Sequence, residues 1–341
     1  MRTNSTLLAL FFSLCINIFS VHIKAQDVHF SQFDNAPLYT NSGQTGMFAG
    51  DCRFVGNYRS QWAAVPVPYT SFAAAVDTRL FRNRLPNDVL GAGLTIIQDK
   101  AGDAQLSTSS INLSLAFSKK LAKNLFIFGG ANAGAAQRRL KTDALRFDDQ
   151  YQADQFNPNS SSADLANLQN TAFRYVELGF GFGMRWQRSR RTWFNLGIAM
   201  QHLNHPAQSF LNTNAQLAAR AVLYAAASVR LGYQWDFCPS VQAQTQFPHQ
   251  SLTFGSLFRY HLNQQLGRET AVFGGCYYRN KDAVIPIIGL NYQTWQFGLS
   301  YDVNVSNFQV ATHRNGAIEL SLIYILSKVP KLPTTKICPI L

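Results

Sequence analysis

Residues 295–306 read WQFGLSYDVNVS, and they alternate without error. Trp295, Phe297, Leu299, Tyr301, Val303 and Val305 occupy one parity, and Gln296, Gly298, Ser300, Asp302, Asn304 and Ser306 the other. Successive side chains of a strand point to opposite faces, so this is a strand with one apolar and one polar wall. A soluble sheet would bury the aromatic row and cover the other with Lys, Glu and Arg. Here the polar row is small and nearly uncharged, which points to the apolar row as the outer one.

Composition extends that reading to the whole chain. Charged residues are 14% of the 341 and aromatics 13%, against about 25% charged in ordinary soluble domains. The chain is short of solvated surface.

Arg2 is followed by an apolar run, Leu7 to Phe19, and then by SVHIKA ending at Ala25, the pattern of a cleaved secretory signal with a mature start near Gln26. Losing residues 1–25 removes Arg2 and Lys24 and no acid, so the net charge falls from +12 to +10. Export excludes nucleic acid as the partner of this basic chain. Cys52, Cys238, Cys276 and Cys338 are too widely spaced for a metal cluster or a dense disulfide framework, and one or two bridges or none remain open. No later segment offers the ~18 apolar residues of a spanning helix. An exported chain that enters a membrane must then do so as a closed barrel, because lipid cannot satisfy an open sheet edge.

Period-2 segments support an all-β fold, a transmembrane antiparallel β-barrel of about fourteen strands. They run 53–62, 69–80, 90–97, 109–117, 125–135, 173–186, 193–201, 223–231, 241–247, 252–260, 271–278, 284–292, 295–306 and 317–326. The fifth, ninth and twelfth are the weakest. Pro286 in the twelfth requires a bulge or an edge of the pairing. With both termini in the periplasm, the long connections 136–172 and 202–222 fall outside and QRSRR (187–191) inside. The chain divides into a signal peptide (1–25), an N-terminal segment (26–50), the barrel (51–326) and a periplasmic tail (327–341). A β-sandwich would need charged outer faces, whereas the charges Arg59, Asp77, Arg79, Glu177, Arg185, Arg230, Arg259, Asp302 and Glu319 share the parity opposite the aromatic rows, that of a lumen.

Several stretches together resemble one family. QDVHFSQFDNAPLYTNSGQTG (26–46), with Phe30, Ser31 and Gln32, YRSQW (58–62), with Tyr58, Arg59, Gln61 and Trp62, PYTSFAAAVD (68–77), with Pro68 and Tyr69, and the closing FGLSYDVNVS and GAIELSLIY are similar to the PorP/SprF outer-membrane proteins of type IX secretion. The likeness covers both ends of the mature chain and leaves 130–260 to the barrel pattern. The chain departs at Asn41-Ser42-Gly43, where the family has Asn-Pro-Ala, and at Ser60, where it has Asn; a looser N-terminal turn is expected. The resemblance implies a barrel that works with the type IX secretion components and, in many members, helps export a large surface adhesin or anchor it through its C-terminal domain. A passive or fatty-acid-type transport channel with a plugged lumen is the alternative.

Enzymatic chemistry has little support. His202 and His205 lie in a long connection with no acidic residue between Ala199 and Arg230 to orient a base or complete a metal site. GFGFG (179–183) alternates within a strand instead of opening a helix, so its glycines signify space or close backbone approach, not a phosphate loop. No catalytic residue, cofactor or metal is expected. The inner connections carry Arg82, Arg84, Lys119, Lys120, Lys123, Arg188, Arg190, Arg191 and Arg268, and the tail adds Lys328, Lys331 and Lys336, opposed chiefly by Asp88 and Asp236. This basic rim, with Arg188, Arg190 and Arg191 at its centre, is expected to dock an acidic or peptidoglycan-associated periplasmic protein; ordinary interfacial charge is the competing reading. Residues 26–50 hold Phe30, Phe33, Pro37, Leu38 and Tyr39. They are too irregular for a strand and too apolar for a free tail, so they are expected to plug the lumen, with Arg59, Asp77, Arg79, Glu177, Asp302 and Glu319 as contacts.

Overall fold

In the computed structural model the described residues are 27–61, 69–82, 84–85, 87–102, 105–142, 145–152, 155–157, 160, 162–163, 171–210, 215–265, 267–306 and 315–327. The expected signal segment, the tail from 328, Trp62, Pro68 and Cys338 lie outside them. Fourteen antiparallel strands close a barrel: β1 Cys52–Gln61, β2 Tyr69–Leu80, β3 Val89–Ala101, β4 Leu106–Ala122, β5 Leu125–Arg139, β6 Ala172–Gln187, β7 Trp193–Gln201, β8 Arg220–Arg230, β9 Trp235–Gln246, β10 His249–Asn263, β11 Thr270–Arg279, β12 Ala283–Tyr292, β13 Trp295–Asn304 and β14 Asn315–Leu326. Each strand pairs with its sequence neighbours, and β1 closes on β14 from Cys52–Leu326 to Gln61–Ala317. Closure leaves no edge to satisfy. Among the described residues no helix is long and apolar enough to cross a membrane, which says nothing of a barrel.

The opening strand has its answer in exposure. Trp295, Phe297, Leu299 and Tyr301 are 37–45% exposed, while Ser300 and Asp302 are 1% exposed. The apolar row is the outer wall, and the buried row is the lumen. The rule repeats on β4, where Ile111, Leu113, Leu115 and Phe117 face out and Asn112, Ser114 and Ala116 face in. Trp186, Trp235 and Trp295 cluster outward at one end with Tyr260, Tyr292 and Tyr324, the placement of an interfacial aromatic girdle.

That is the turn end, carrying the short connections 81–88, 123–124, 188–192, 231–234, 264–269 and 293–294. The opposite, loop end carries the long connections 140–171 and 202–219, the first of which adds a short hairpin, Tyr151–Gln152 with Gln155–Phe156.

Several strands outrun their sequence pattern. β9 starts at Trp235 instead of Val241, because a lumen position accepts Asp236, and β4 extends to Leu106 and Ala122, with a register shift against β5 just past Lys120. Pro286 corrects a second expectation. It needs neither bulge nor edge: β12 keeps one register against β13, and pairing simply lapses at Ile285 and Pro286 opposite Tyr301 and Asp302. The bulge lies on β14, where Gly316 and Ala317 together stand opposite Asp302 of β13 as the register shifts between Tyr301–Ile318 and Val303–Asn315. Cys52, Cys238 and Cys276 are free.

Candidate functional site

Residues 27–50 lie inside the barrel, running from the loop end at Asp27 to the turn end at Gly46–Asp51. Short turns, Phe33–Asn35, Pro37–Thr40 and Ser42–Gln44, fold the segment. None is long enough to be stable alone, so the wall must hold them.

Four charged side chains do most of that holding. Glu319 on β14 is fully buried, and its two oxygens accept the backbone N–H groups of Ser31 (2.7 Å) and Gln32 (2.8 Å). Arg59 on β1 donates to Glu319 Oε2 (3.1 Å) and to Asp302 Oδ2 (2.8 Å). Arg279 on β11 reaches the same Asp302 oxygen at 2.9 Å. Ser31 sits at the centre: its hydroxyl donates to Asp302 Oδ1 (2.7 Å) and accepts from Arg59 (2.5 Å) and Arg279 (2.6 Å). Two carboxylates face two guanidiniums, so the buried charges balance and their hydrogen bonds are used.

Below this cluster Gln32 donates to Ser300 and Asn35 to Ser321 (2.9 Å), while Gln296 donates to Asn35 Oδ1 (2.7 Å). Phe33 packs on an apolar patch of the inner wall formed by Phe273, Tyr277, Ala283, Ile285 and Ile287. Asn41 donates to the carbonyls of Phe182 (3.0 Å) and Ile198 (3.2 Å), and its Oδ1 accepts from Gly43. The expected loosening at Asn41-Ser42-Gly43 is therefore absent: the three residues are buried and capped. The glycines of GFGFG explain why they fit, since a Cβ at Gly181 would overlap Asn41 Oδ1. At the turn end Asp77 accepts from Gly46 N (2.7 Å) and pairs with Arg53 (2.8 Å), and Arg79 donates to Gly46 O and Phe48 O.

Of the lumen residues singled out in the sequence, Arg59, Asp77, Arg79, Asp302 and Glu319 touch the segment directly. Glu177 does not: it accepts from Asn112 (2.8 Å) and lies 3.8 Å from His202 Nδ1. Phe30 is buried against Ala36 and Ala73, Tyr58 faces outward, and Gln61 and Tyr69 line the loop-end mouth. Sequence reading missed Arg53, Arg279 and Arg220 as contacts, although their inward parity was available.

At the loop end the start of the segment is tied to the wall. Asp27 Oδ2 lies 2.7 Å from His202 Nε2 and 3.9 Å from Arg220, and its N–H donates to Gln246. Arg220 also covers the Tyr39 ring, 4.2 Å from its centre. Burial would lower the His202 pKa, but the hydrogen bond and negative charge of Asp27 outweigh it and raise the value. Burial would raise Asp27; the His202 hydrogen bond and charge, then Arg220, bring it below the usual carboxylate range. Over this tie opens a cavity of about 630 Å³, its walls rich in amides and hydroxyls.

The turn-end arginines behave unequally. Arg191 is spent on structure: it pairs with fully buried Asp236 (2.6 Å) and donates to the carbonyls of Gly232, Tyr233 and Trp235, closing the β8–β9 turn. His261 approaches the other Asp236 oxygen at 2.6 Å. Arg190 is exposed, 3.7 Å from Glu269, and Arg188 is exposed as well. Among the described residues no group of three or more His, Cys, Asp or Glu could hold a metal ion.

Comparison with solved structures gives the fold independently. The Ralstonia pickettii toluene transporter TbuX aligns with a TM-score of 0.52 at 11% identity, covering 85% of this chain and 92% of that one. The CymD monoaromatic hydrocarbon channel aligns with a TM-score of 0.50 at 11% identity, covering 86% and 93%. At such identities the likeness is one of barrel architecture. No curated protein matches the chain. The model of the type IX secretion system membrane protein PorP/SprF family matches residues 22–324, through the N-terminal segment and nearly all of the barrel. The chain belongs to the type IX secretion system membrane protein PorP/SprF family.

Proposed function

We propose that this protein is a non-enzymatic outer-membrane accessory of type IX secretion, which helps export a large surface adhesin or holds it through its C-terminal domain, with residues 27–50 plugging the lumen. The observation that supports it most is the clamp on Ser31 and Gln32. A passive pore has no use for four buried charges spent on fixing a segment across its own bore, whereas a barrel that acts through its surfaces gains rigidity from them.

Co-purification tests the reading. The full chain, tagged and extracted from cells in mild detergent, should bring down secretion components and the C-terminal domain of a large secreted protein. Recovery of neither would remove the reading.

A passive or fatty-acid-type transport channel is the second reading, favoured by the open cavity at the loop end. Its lining of Gln61, Ser71, Asn112, Gln201 and Gln246 suits a polar solute better than a hydrocarbon chain. Solute uptake or steady ion conductance by purified protein in liposomes would support this second reading.

At the turn end, docking of an acidic or peptidoglycan-associated periplasmic protein rests on Arg188 and Arg190, the two arginines of the trio that the wall does not consume. Reversing both to Glu should abolish capture of the periplasmic partner. Unchanged capture would leave this face as ordinary interfacial charge.

A further inference from the structure

Most charged groups around the loop-end cavity are matched. Asp27 has His202 and Arg220, Glu177 has His202, Arg279 has Asp282 and Asp302, and Arg59 has Asp302 and Glu319. Two are not. Asp99 on β3 accepts only the Ser71 hydroxyl (2.6 Å) and has no ion-pair partner among the described residues. Arg138 on β5 donates from one terminal nitrogen to the neutral Gln208 amide (2.5 Å), and its Nε is buried without a partner. It too has no ion-pair partner among the described residues.

These two residues are placed relative to each other by the sheet. Asp99 pairs across β3–β4 with Thr108, and Thr108 pairs across β4–β5 with Arg138. All three line the cavity. Neighbouring strands stand about 4.8 Å apart, so the row spans roughly 10 Å from the Asp99 to the Arg138 backbone. The Asp99 carboxylate and the Arg138 guanidinium face the same space with one hydroxyl position between them, close enough to feel each other's charge but without an ion-pair contact among the described residues. A half-buried charge whose counter-charge is out of contact is only partly compensated, and a ligand that supplies both signs between the two relieves both sites at once.

We propose that Asp99, Thr108 and Arg138 form a binding site for a small zwitterion, an amino acid or dipeptide, taking its ammonium on Asp99 and its carboxylate on Arg138. Gln208 holds the guanidinium in place, and Ser71 orients the Asp99 carboxylate. The cavity volume admits a ligand of that size with its water. The site is independent of whether an adhesin binds the barrel.

Isothermal titration calorimetry on the full chain in detergent micelles tests it, with dialanine, N-acetyl-dialanine and dialanine amide as the probes. Dialanine should bind, and each blocked form should bind at least tenfold more weakly, the size of one lost charge-assisted hydrogen bond. Asp99→Asn should bind dialanine at least tenfold more weakly and no longer distinguish it from the acetylated form. Arg138→Gln should lose discrimination against the amide instead. A general structural defect would weaken all three probes alike, so the crossed pattern separates recognition from folding. If a variant does not fold, the three probes on the natural protein still decide. No binding of dialanine, equal affinity for the three probes, or variants that keep both discriminations would overturn the site.

Discussion

Arg59 Nη2 stands 2.8 Å from Asp302 Oδ2, joining the first strand to the thirteenth across β14. The two side chains are 3% and 1% exposed. Both face a lumen occupied by the chain's own N-terminal segment, and the Ser31 hydroxyl bonds to both. One ion pair thus ties the barrel seam, where β1 meets β14, to the contents of the barrel.

Arg59→Gln should loosen the segment without opening the barrel. Asp302 keeps Arg279, but Glu319 loses its guanidinium and remains fully buried. Removing one partner of a buried ionic cluster costs about 3–5 kcal/mol. Hydrogen–deuterium exchange should accelerate across residues 28–36 while β4 and β5, far from the seam, stay protected. Protection of 28–36 equal to that of the natural protein would show that the clamp holds nothing.

Gly181→Val tests the fit of the Asn41 turn. The new side chain would overlap Asn41 Oδ1, and the turn must leave the wall, giving up the bonds to Phe182 O and Ile198 O. At about 1 kcal/mol for each neutral hydrogen bond, the loss is about 2 kcal/mol before any strain. Asn41→Ala, which removes these two bonds and the one from Gly43 with no overlap, should cost about 3 kcal/mol, and Gly181→Val, which forces the whole turn off the wall, more, when unfolding is followed in urea. The reverse order would mean that Gly181 is not needed for space.

The Asp27–His202 tie should depend on pH in a defined direction. The folded protein raises the His202 pKa, so the tie's contribution is complete below the ordinary value of about 6.5 and is lost as pH rises through the raised folded value. Asp27 is lowered, so its contribution is complete above about 3.9 and is lost as pH falls through the lowered folded value. Exchange at residues 27–30 should be slowest between about pH 4 and 6.5 and rise on the alkaline side. His202→Asn should flatten that alkaline rise; an unchanged profile would assign the pH effect elsewhere.

Leu113 and Ser114 are neighbours on β4 with opposite surroundings, 66% and 4% exposed. Leu113→Lys puts a charge on the outer apolar wall near mid-strand, which in a bilayer costs about 2–4 kcal/mol. Folding into lipid vesicles, followed by titration with urea, should register that loss. Leu113→Ser, which shortens the side chain without adding charge, should cost less. Equal losses would argue that this wall does not contact lipid.

Alternation was enough to specify the wall. Each strand from WQFGLSYDVNVS outward needed only period 2, a scarcity of charge and an even count, because the lipid and lumen faces impose their chemistry residue by residue along the local chain. The same parity marked Arg59, Asp77, Asp302 and Glu319 as inward. The wording of the two ends pointed to the family, whose model then matched residues 22–324. What parity cannot encode is partnership. That Arg279 shares Asp302 with Arg59, that Gly181 makes room for Asn41, that Arg191 is consumed by Asp236 while Arg138 makes no ion-pair contact among the described residues, all depend on which strands close beside one another and on the path of residues 27–50 through the lumen. Those contacts join positions more than a hundred residues apart in some cases, and only closure of the barrel, which fixes every strand's distance from every other, decides them.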